Sequence, residues 1–210
     1  AAITASNDPD CNGATNGDAT VTAGGGTGAY TYSWSPSGGT GTTGTGLSGG
    51  ILYTVTVTDA NGCVATATIT LTDPPLLTAA ITGSNDPACN GGTDGDATVT
   101  AGGGTGIYTY SWAPSGGTGA TGTGLSGGIL YTVTVTDANG CITTATITLT
   151  DPPLLTAAIS GSNDPDCNGA TNGDATVTAG GGTGAYTYSW SPVGGTGTTG
   201  TGLSGGILYT

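Results

Sequence analysis

Tyr53-Thr54-Val55-Thr56-Val57-Thr58-Asp59-Ala60-Asn61-Gly62-Cys63 decides the fold class. Tyr53, Val55 and Val57 alternate with Thr54, Thr56 and Thr58, a period of two that turns one face inward and the other to solvent. Asp59-Ala60-Asn61-Gly62 then reads as a hairpin, a type I turn closed by a glycine bulge. Beyond it, Ala65, Ala67, Ile69 and Leu71 alternate with Thr66, Thr68, Thr70 and Thr72. Upstream, Ala19-Thr20-Val21-Thr22-Ala23 has the same alternation, and Tyr30, Tyr32 and Trp34 share a face opposite Thr31 and Ser33. Gly24-Gly25-Gly26, Gly38-Gly39 and Gly49-Gly50 punctuate these runs, and no segment has helical periodicity. The pattern predicts half-buried antiparallel strands joined by glycine turns.

The same text returns every 78 residues. Ala1-Ala2-Ile3 recurs as Ala79-Ala80-Ile81 and Ala157-Ala158-Ile159. The first two copies differ at nine positions, among them Asp10/Ala88, Asn16/Asp94 and Ala29/Ile107, and the third differs from the first at only three. The period is too long for a solenoid unit and suits a small autonomous domain. Asp73-Pro74-Pro75 and Asp151-Pro152-Pro153 mark the boundaries, since paired prolines end strand pairing and stiffen a connector. The expected architecture is all-β: a tandem array of small immunoglobulin-like sandwiches at residues 1–78, 79–156 and 157–210, the last one shortened. The third copy stops at Tyr209-Thr210, inside a segment that reads as a strand in the earlier copies, and the expectation is a window from a longer array.

Composition narrows function. Of 210 residues, 44 are Gly and 46 are Thr, with no Lys, Arg, His, Glu, Phe or Met. All 13 charged side chains are Asp, for a net charge of −13. Without side-chain cations the chain cannot neutralise phosphates, which excludes nucleic-acid binding. It also has no side-chain salt bridge and no Lys-dependent isopeptide crosslink. Catalysis is disfavoured: His, Lys and Glu are missing as general bases, and a Ser or Cys nucleophile has no activating partner. No signal peptide or membrane span is legible.

Gly25-Gly26-Thr27-Gly28, Tyr30-Thr31-Tyr32-Ser33-Trp34 and the Tyr53–Cys63 stretch resemble the SprB-type repeat, over essentially all of each 78-residue unit and with Cys11 and Cys63 where that repeat has them. The final hairpin also resembles PKD-type domains. One departure is Ile51-Leu52, where the family more often has Gly-Thr. Such repeats occur in very large secreted and cell-surface proteins of gliding and related Bacteroidetes, including gliding adhesins. The resemblance implies an extracellular, non-enzymatic array.

The cysteines are Cys11 and Cys63, Cys89 and Cys141, then Cys167, with no zinc spacing. A surface context favours disulfides for all five. Pairing within a repeat closes a loop of about 50 residues, worth roughly 4 kcal/mol by chain entropy. If domains run end to end, however, Cys11 sits at the outgoing pole and Cys63 at the incoming pole, roughly 20–30 Å apart. Two pairings stay open. Cys11–Cys63 requires the 7–17 loop to fold back along the domain, whereas Cys11–Cys141 staples one repeat to the next. A Cys63–Cys89 bridge is disfavoured by the same geometry.

Asp8-Pro9-Asp10-Cys11-Asn12-Gly13, with Asp18 further on, matches the opening of a calcium loop, as do Asp164, Asp166, Asn168 and Asp174 in the third copy. Against it stand the missing closing Glu, Ala88 in the second copy, and the disulfide role of Cys11. Calcium is the one cofactor the sequence suggests; the competing reading is an Asx-rich surface loop. The aromatic triplets Tyr30/Tyr32/Trp34, Tyr108/Tyr110/Trp112 and Tyr186/Tyr188/Trp190 read first as core, with a sugar-stacking platform as the alternative. The functional expectation is a mechanical one: an extracellular filament or adhesin stalk whose partners are neighbouring repeats and other filaments. The competing expectation is an adhesin that binds surface carbohydrate through exposed Tyr and Trp.

Overall fold

The computed structural model describes residues 1–210. The first repeat contains six strands: β1 (Ala2–Asn7), β2 (Gly17–Thr22), β3 (Thr31–Ser35), β4 (Thr43–Leu47), β5 (Leu52–Thr58) and β6 (Val64–Thr70). They form two three-stranded sheets, ordered β1-β2-β4 and β3-β5-β6, with antiparallel pairing throughout. This is the two-sheet strand order of an immunoglobulin-like sandwich reduced to its central strands. Leu71, expected inside the last strand, instead makes an isolated parallel bridge to Gly49.

Alternation sets the register. Trp34 pairs with Val55, Tyr32 with Val57, and Tyr53 with Ile69, so one face of the second sheet is apolar. Facing it are Ala19 and Val21 of β2, and with Trp34, Leu47, Tyr53, Val55, Val57 and Leu71 they form the buried core. The outer faces carry threonines, two of which join hydroxyls across β2 and β4, Thr20 to Thr43 at 2.9 Å.

β4 was not legible as a strand because Thr43-Gly44-Thr45-Gly46 has no apolar alternation. Its glycine is steric: a Cβ on Gly44 would lie 2.6 Å from the Trp34 indole. That indole rests on the bare backbone and donates Nε1–H to Gly41 O at 3.0 Å.

The second repeat has β7 (Thr78–Asn85), β8 (Gly95–Gly102), β9 (Thr109–Ala113), β10 (Thr121–Leu125), β11 (Leu130–Thr136) and β12 (Ile142–Thr148), in sheets β10-β8-β7 and β12-β11-β9. The third has β13 (Thr156–Asn163), β14 (Gly173–Gly180) and β15 (Thr199–Leu203) in one sheet. Its 187–190 segment has no strand partner, and pairing begins only where Ser191 and Thr210 exchange amide bonds at 2.8 and 3.1 Å.

Contacts divide the chain into two compact units. One comprises Ala1–Gly83, Thr98–Gly122 and Tyr131–Ile147; the other comprises Ser84–Ala97, Thr123–Leu130 and Thr148–Thr210. The first unit thus holds the whole first repeat together with the part of the second that adjoins it. No helix is long and apolar enough to cross a membrane.

Candidate functional site: the junction between repeats

The site begins with the hairpin turn. Asp59 N donates to Cys63 O at 3.0 Å and Gly62, at φ +84°, lets the chain reverse. Asp59 Oδ1 accepts the N–H of Asn61 and Cys63 at 2.9 and 2.8 Å, while Oδ2 accepts that of Thr27 at 2.9 Å. The glycine loop and the hairpin are thereby held to one pole of the sandwich by a single carboxylate. The Thr27 N–H, then that of Cys63, hold Asp59 below the ordinary aspartate value of 3.8, against an opposing desolvation.

Asp137 repeats this in the second copy, with Oδ2 accepting Thr105 N–H at 2.8 Å and Oδ1 accepting Asn139 and Cys141 N–H at 3.0 and 2.9 Å. Desolvation is the largest single influence on it and pushes its carboxyl up. The N–H groups of Thr105, Cys141 and Asn139 outweigh that, and the net direction is down. Asp137 is buried and Asp59 is half-buried.

The opposite, outgoing pole carries the cysteine loop. In the first repeat Asp8 Oδ1 accepts Thr72 N–H at 2.9 Å and Asn12 Nδ2 donates to Pro74 O at 3.0 Å, tying the loop to the proline linker. Asp10 Oδ2 takes the Asn16 amide, and both Asp18 oxygens take the Asn7 amide, at 3.0 and 3.1 Å. The candidate calcium ligands are therefore engaged elsewhere in this structure. Asp8, Asp10, Asn12 and Asp18 are aimed at four separate partners, and no group of three or more acidic, Cys or His side chains converges on a common point. In the third copy Asp166 holds Asn172 and Asp174 holds Asn163, so Asp164, Asp166, Asn168 and Asp174 assemble no cage either.

Within the first unit these two poles meet. Cys11 and Cys141 are bonded, with S–S 2.06 Å and Cα–Cα 5.7 Å. Beside the bond, Asn139 Nδ2 donates to Asp10 O at 3.0 Å. Gly104 N–H donates to Pro75 O at 2.8 Å, and a Cβ on Gly103 would lie 2.0 Å from Leu76 O, so bare backbone forms the linker's seat. Leu77 is buried there, with its Cδ1 against Gly104.

The second unit contains the same seat one period later. Gly182 N–H donates to Pro153 O at 2.9 Å, Gly181 lies against Leu154, and Leu155 packs on Gly182. Thr183 Oγ1 donates to Ala88 O at 3.2 Å, from the loop that carries Cys89.

Of the two open pairings, the structure contains Cys11–Cys141; Cys11 does not reach Cys63. Cys63, Cys89 and Cys167 carry no disulfide in this structure and are exposed. The bond spans 130 residues of sequence.

The first two aromatic triplets are held by the sandwich rather than displayed on it. Trp34 and Trp112 are buried, while Tyr32 and Tyr110 are half-buried beside them and Tyr30 and Tyr108 bond through their hydroxyls to Gly25 O and Gly103 O. They do not line up along an open face. In the third copy Tyr188 and Trp190 are half-buried and Tyr186 is exposed. Tyr53, by contrast, is a core aromatic read only as part of a strand. Its hydroxyl accepts Ser48 N–H at 2.9 Å, the tyrosine-corner arrangement.

Sequence reasoning missed the junction's acceptors. Asp59 and Asp137 read only as turn residues, Gly103-Gly104 only as punctuation, and Leu76-Leu77 not at all. The available signal was the paired leucine after Pro-Pro, apolar residues with no strand alternation to explain them.

The SprB repeat family model matches residues 3–41, 82–119 and 160–195. Among solved structures the chain is similar to the three N-terminal domains of the highly immunogenic outer capsid protein (Hoc) of bacteriophage RB49. That match has 17% identity and a TM-score of 0.45, over 90% of this chain and 74% of the other. No curated protein matches the sequence.

Proposed function

Since the chain belongs to the SprB-repeat family, we propose that it is a structural segment of a long extracellular filament or cell-surface adhesin stalk, with a mechanical rather than a catalytic role. The observation that carries this reading is the junction. The linker seat is built twice from the same residues, Gly103-Gly104 on Leu76-Leu77 and Gly181-Gly182 on Leu154-Leu155, and at the first a disulfide crosses from one repeat to the next. A repeated head-to-tail contact of one kind is what propagates an open array. The load path it offers is covalent through the linker and again through Cys11–Cys141, with each sandwich closed by main-chain ladders.

An extracellular setting follows from the disulfide chemistry of this reading. Absence of any Lys or Arg removes every trypsin site, which suits a fibre exposed to proteases. Electron microscopy of the native particle tests the proposal. A thin fibre with one bead per 78-residue repeat is the expected image, and a compact globular particle would sink it.

A further inference from the structure

The two sheets of the first repeat turn different outer faces to solvent. With Ala19 and Val21 inward, β2 presents Asp18, and the threonines on that sheet pair with one another. Thr4 joins hydroxyls with Thr22 at 3.0 Å, and Thr20 joins Thr43 at 2.9 Å. No Asp stands on β3, β5 or β6. Register lays hydroxyls in rows across these three strands: Ser35, Thr54 and Thr68 in one, Ser33, Thr56 and Thr66 in the next. Those six side chains make no hydrogen bond within the chain, and all but Thr54 and Thr56 are exposed.

The second repeat has the same asymmetry. Asp96 and the Thr98–Thr121 hydroxyl pair, at 2.9 Å, belong to one sheet. The strands β9, β11 and β12 carry no Asp, and Thr134 there stands opposite Ser111. A chain of net charge −13 thus keeps one sheet face of each of these repeats free of charge.

We propose that the outer face of β3-β5-β6, with its counterpart β9-β11-β12, is a lateral docking surface for the same face of a second copy of this chain. A hydroxyl both donates and accepts, so a grid of hydroxyls is complementary to itself across a two-fold axis. The same arrangement through the other sheet sets Asp18 of each copy against a like-charged face. Three strands about 4.8 Å apart, with seven residues at about 3.4 Å each, give roughly 350 Å² of face per repeat. Two such faces bury roughly 700 Å², below the 1,200 Å² or so at which stable interfaces begin. The contact is therefore weak for one pair of repeats and gains strength from their repetition. It rests on the stalk reading, to which it adds the side on which neighbouring filaments meet.

Sedimentation of the full 210-residue chain tests this, with free thiols alkylated and EDTA present. In about 1 M NaCl the screening length is about 3 Å, so the remaining carboxylates no longer hold the copies apart. The expected result is an apparent mass that rises with concentration from 19.7 kDa toward twice that value, and rises less at low salt. Thr66→Asp with Thr144→Asp places a carboxylate in each proposed face at exposed positions, and that variant should stay monomeric. Thr22→Asp with Thr100→Asp adds the same charge to the other sheet and should associate as the parent does. Near-ultraviolet circular dichroism confirms that each variant is folded. A parent chain that stays monomeric at high salt overturns the proposal. So does association that survives Thr66→Asp with Thr144→Asp, or that is lost equally with Thr22→Asp and Thr100→Asp. Any of these leaves the stalk reading standing, since microscopy of single fibres tests it separately.

Discussion

Asp59 Oδ2 accepts the Thr27 N–H at 2.9 Å across 32 residues of chain, and the same carboxylate caps its own hairpin. One ionised group therefore joins the glycine loop to the β5–β6 turn, and Asp137 joins their counterparts. Both carboxyls are held below 3.8, the ordinary value. A carboxyl depressed in the folded state stabilises it fully above the unfolded value and loses that contribution as pH falls through the folded one. Thermal melting should accordingly be insensitive to these groups near neutrality and drop as pH falls below 3.8. Asp59→Asn with Asp137→Asn should lower the neutral melting temperature and flatten the acid limb; an unchanged limb would show that other groups set it.

Gly44 should not accept a side chain. A Cβ there would lie 2.6 Å from the Trp34 indole, which is held by its bond to Gly41 O and has no room to withdraw. Overpacking of this kind costs about 1–3 kcal/mol. Gly44→Ala should lower the stability of the first repeat by that amount in chemical denaturation and shift the Trp34 emission toward that of a solvated indole.

Tyr53→Phe keeps the ring in the core and deletes the acceptor for Ser48 N–H. Leaving such a donor unsatisfied costs about 1–3 kcal/mol. Denaturation of Tyr53→Phe should show that loss, and Tyr53→Leu should lose more because the ring's own buried contacts go with the hydroxyl.

Cys141→Ser should separate the stability of the junction from that of the sandwiches. Closing a 130-residue loop is worth at most about 5 kcal/mol by chain entropy. The core around Trp34 and Val55 contains neither sulfur, so strand amides there should keep their hydrogen-exchange protection. Amides at the seat, Gly104 and Thr105 among them, should exchange faster. Loss of protection throughout β5 would mean the bond supports the sandwich itself.

Lateral bundling is opposed by charge. Each 210-residue segment carries −13 with no cation to offset it, and such surfaces repel over about 10 Å at 0.1 M salt. Light scattering should report bundles only at high ionic strength or with divalent ions. Bundles formed in EDTA at low salt would contradict this account.

Much of the fold was legible in the sequence. Alternation in Tyr53–Thr58 and Ala65–Thr70 marked β5 and β6, and Asp59-Ala60-Asn61-Gly62 marked their turn, because period and turn chemistry are local properties of the backbone. β4 escaped because Gly44 answers to an indole that the sequence places ten residues away.

By itself the sequence determined the β class, the repeat and the exclusion of cation-dependent partners, since alternation, period and composition are readable without knowing what touches what. Only the tertiary structure decided which cysteines meet, that Asp8, Asp10 and Asp18 face apart, and that Trp34 and Trp112 lie in the core rather than on an open face. Cys63 and Cys141 have the same local sequence, and nothing local distinguishes a bonded cysteine from a free one. What brings Cys141 to Cys11 is the way the Asp-Pro-Pro-Leu-Leu linker between them sits on bare glycine backbone.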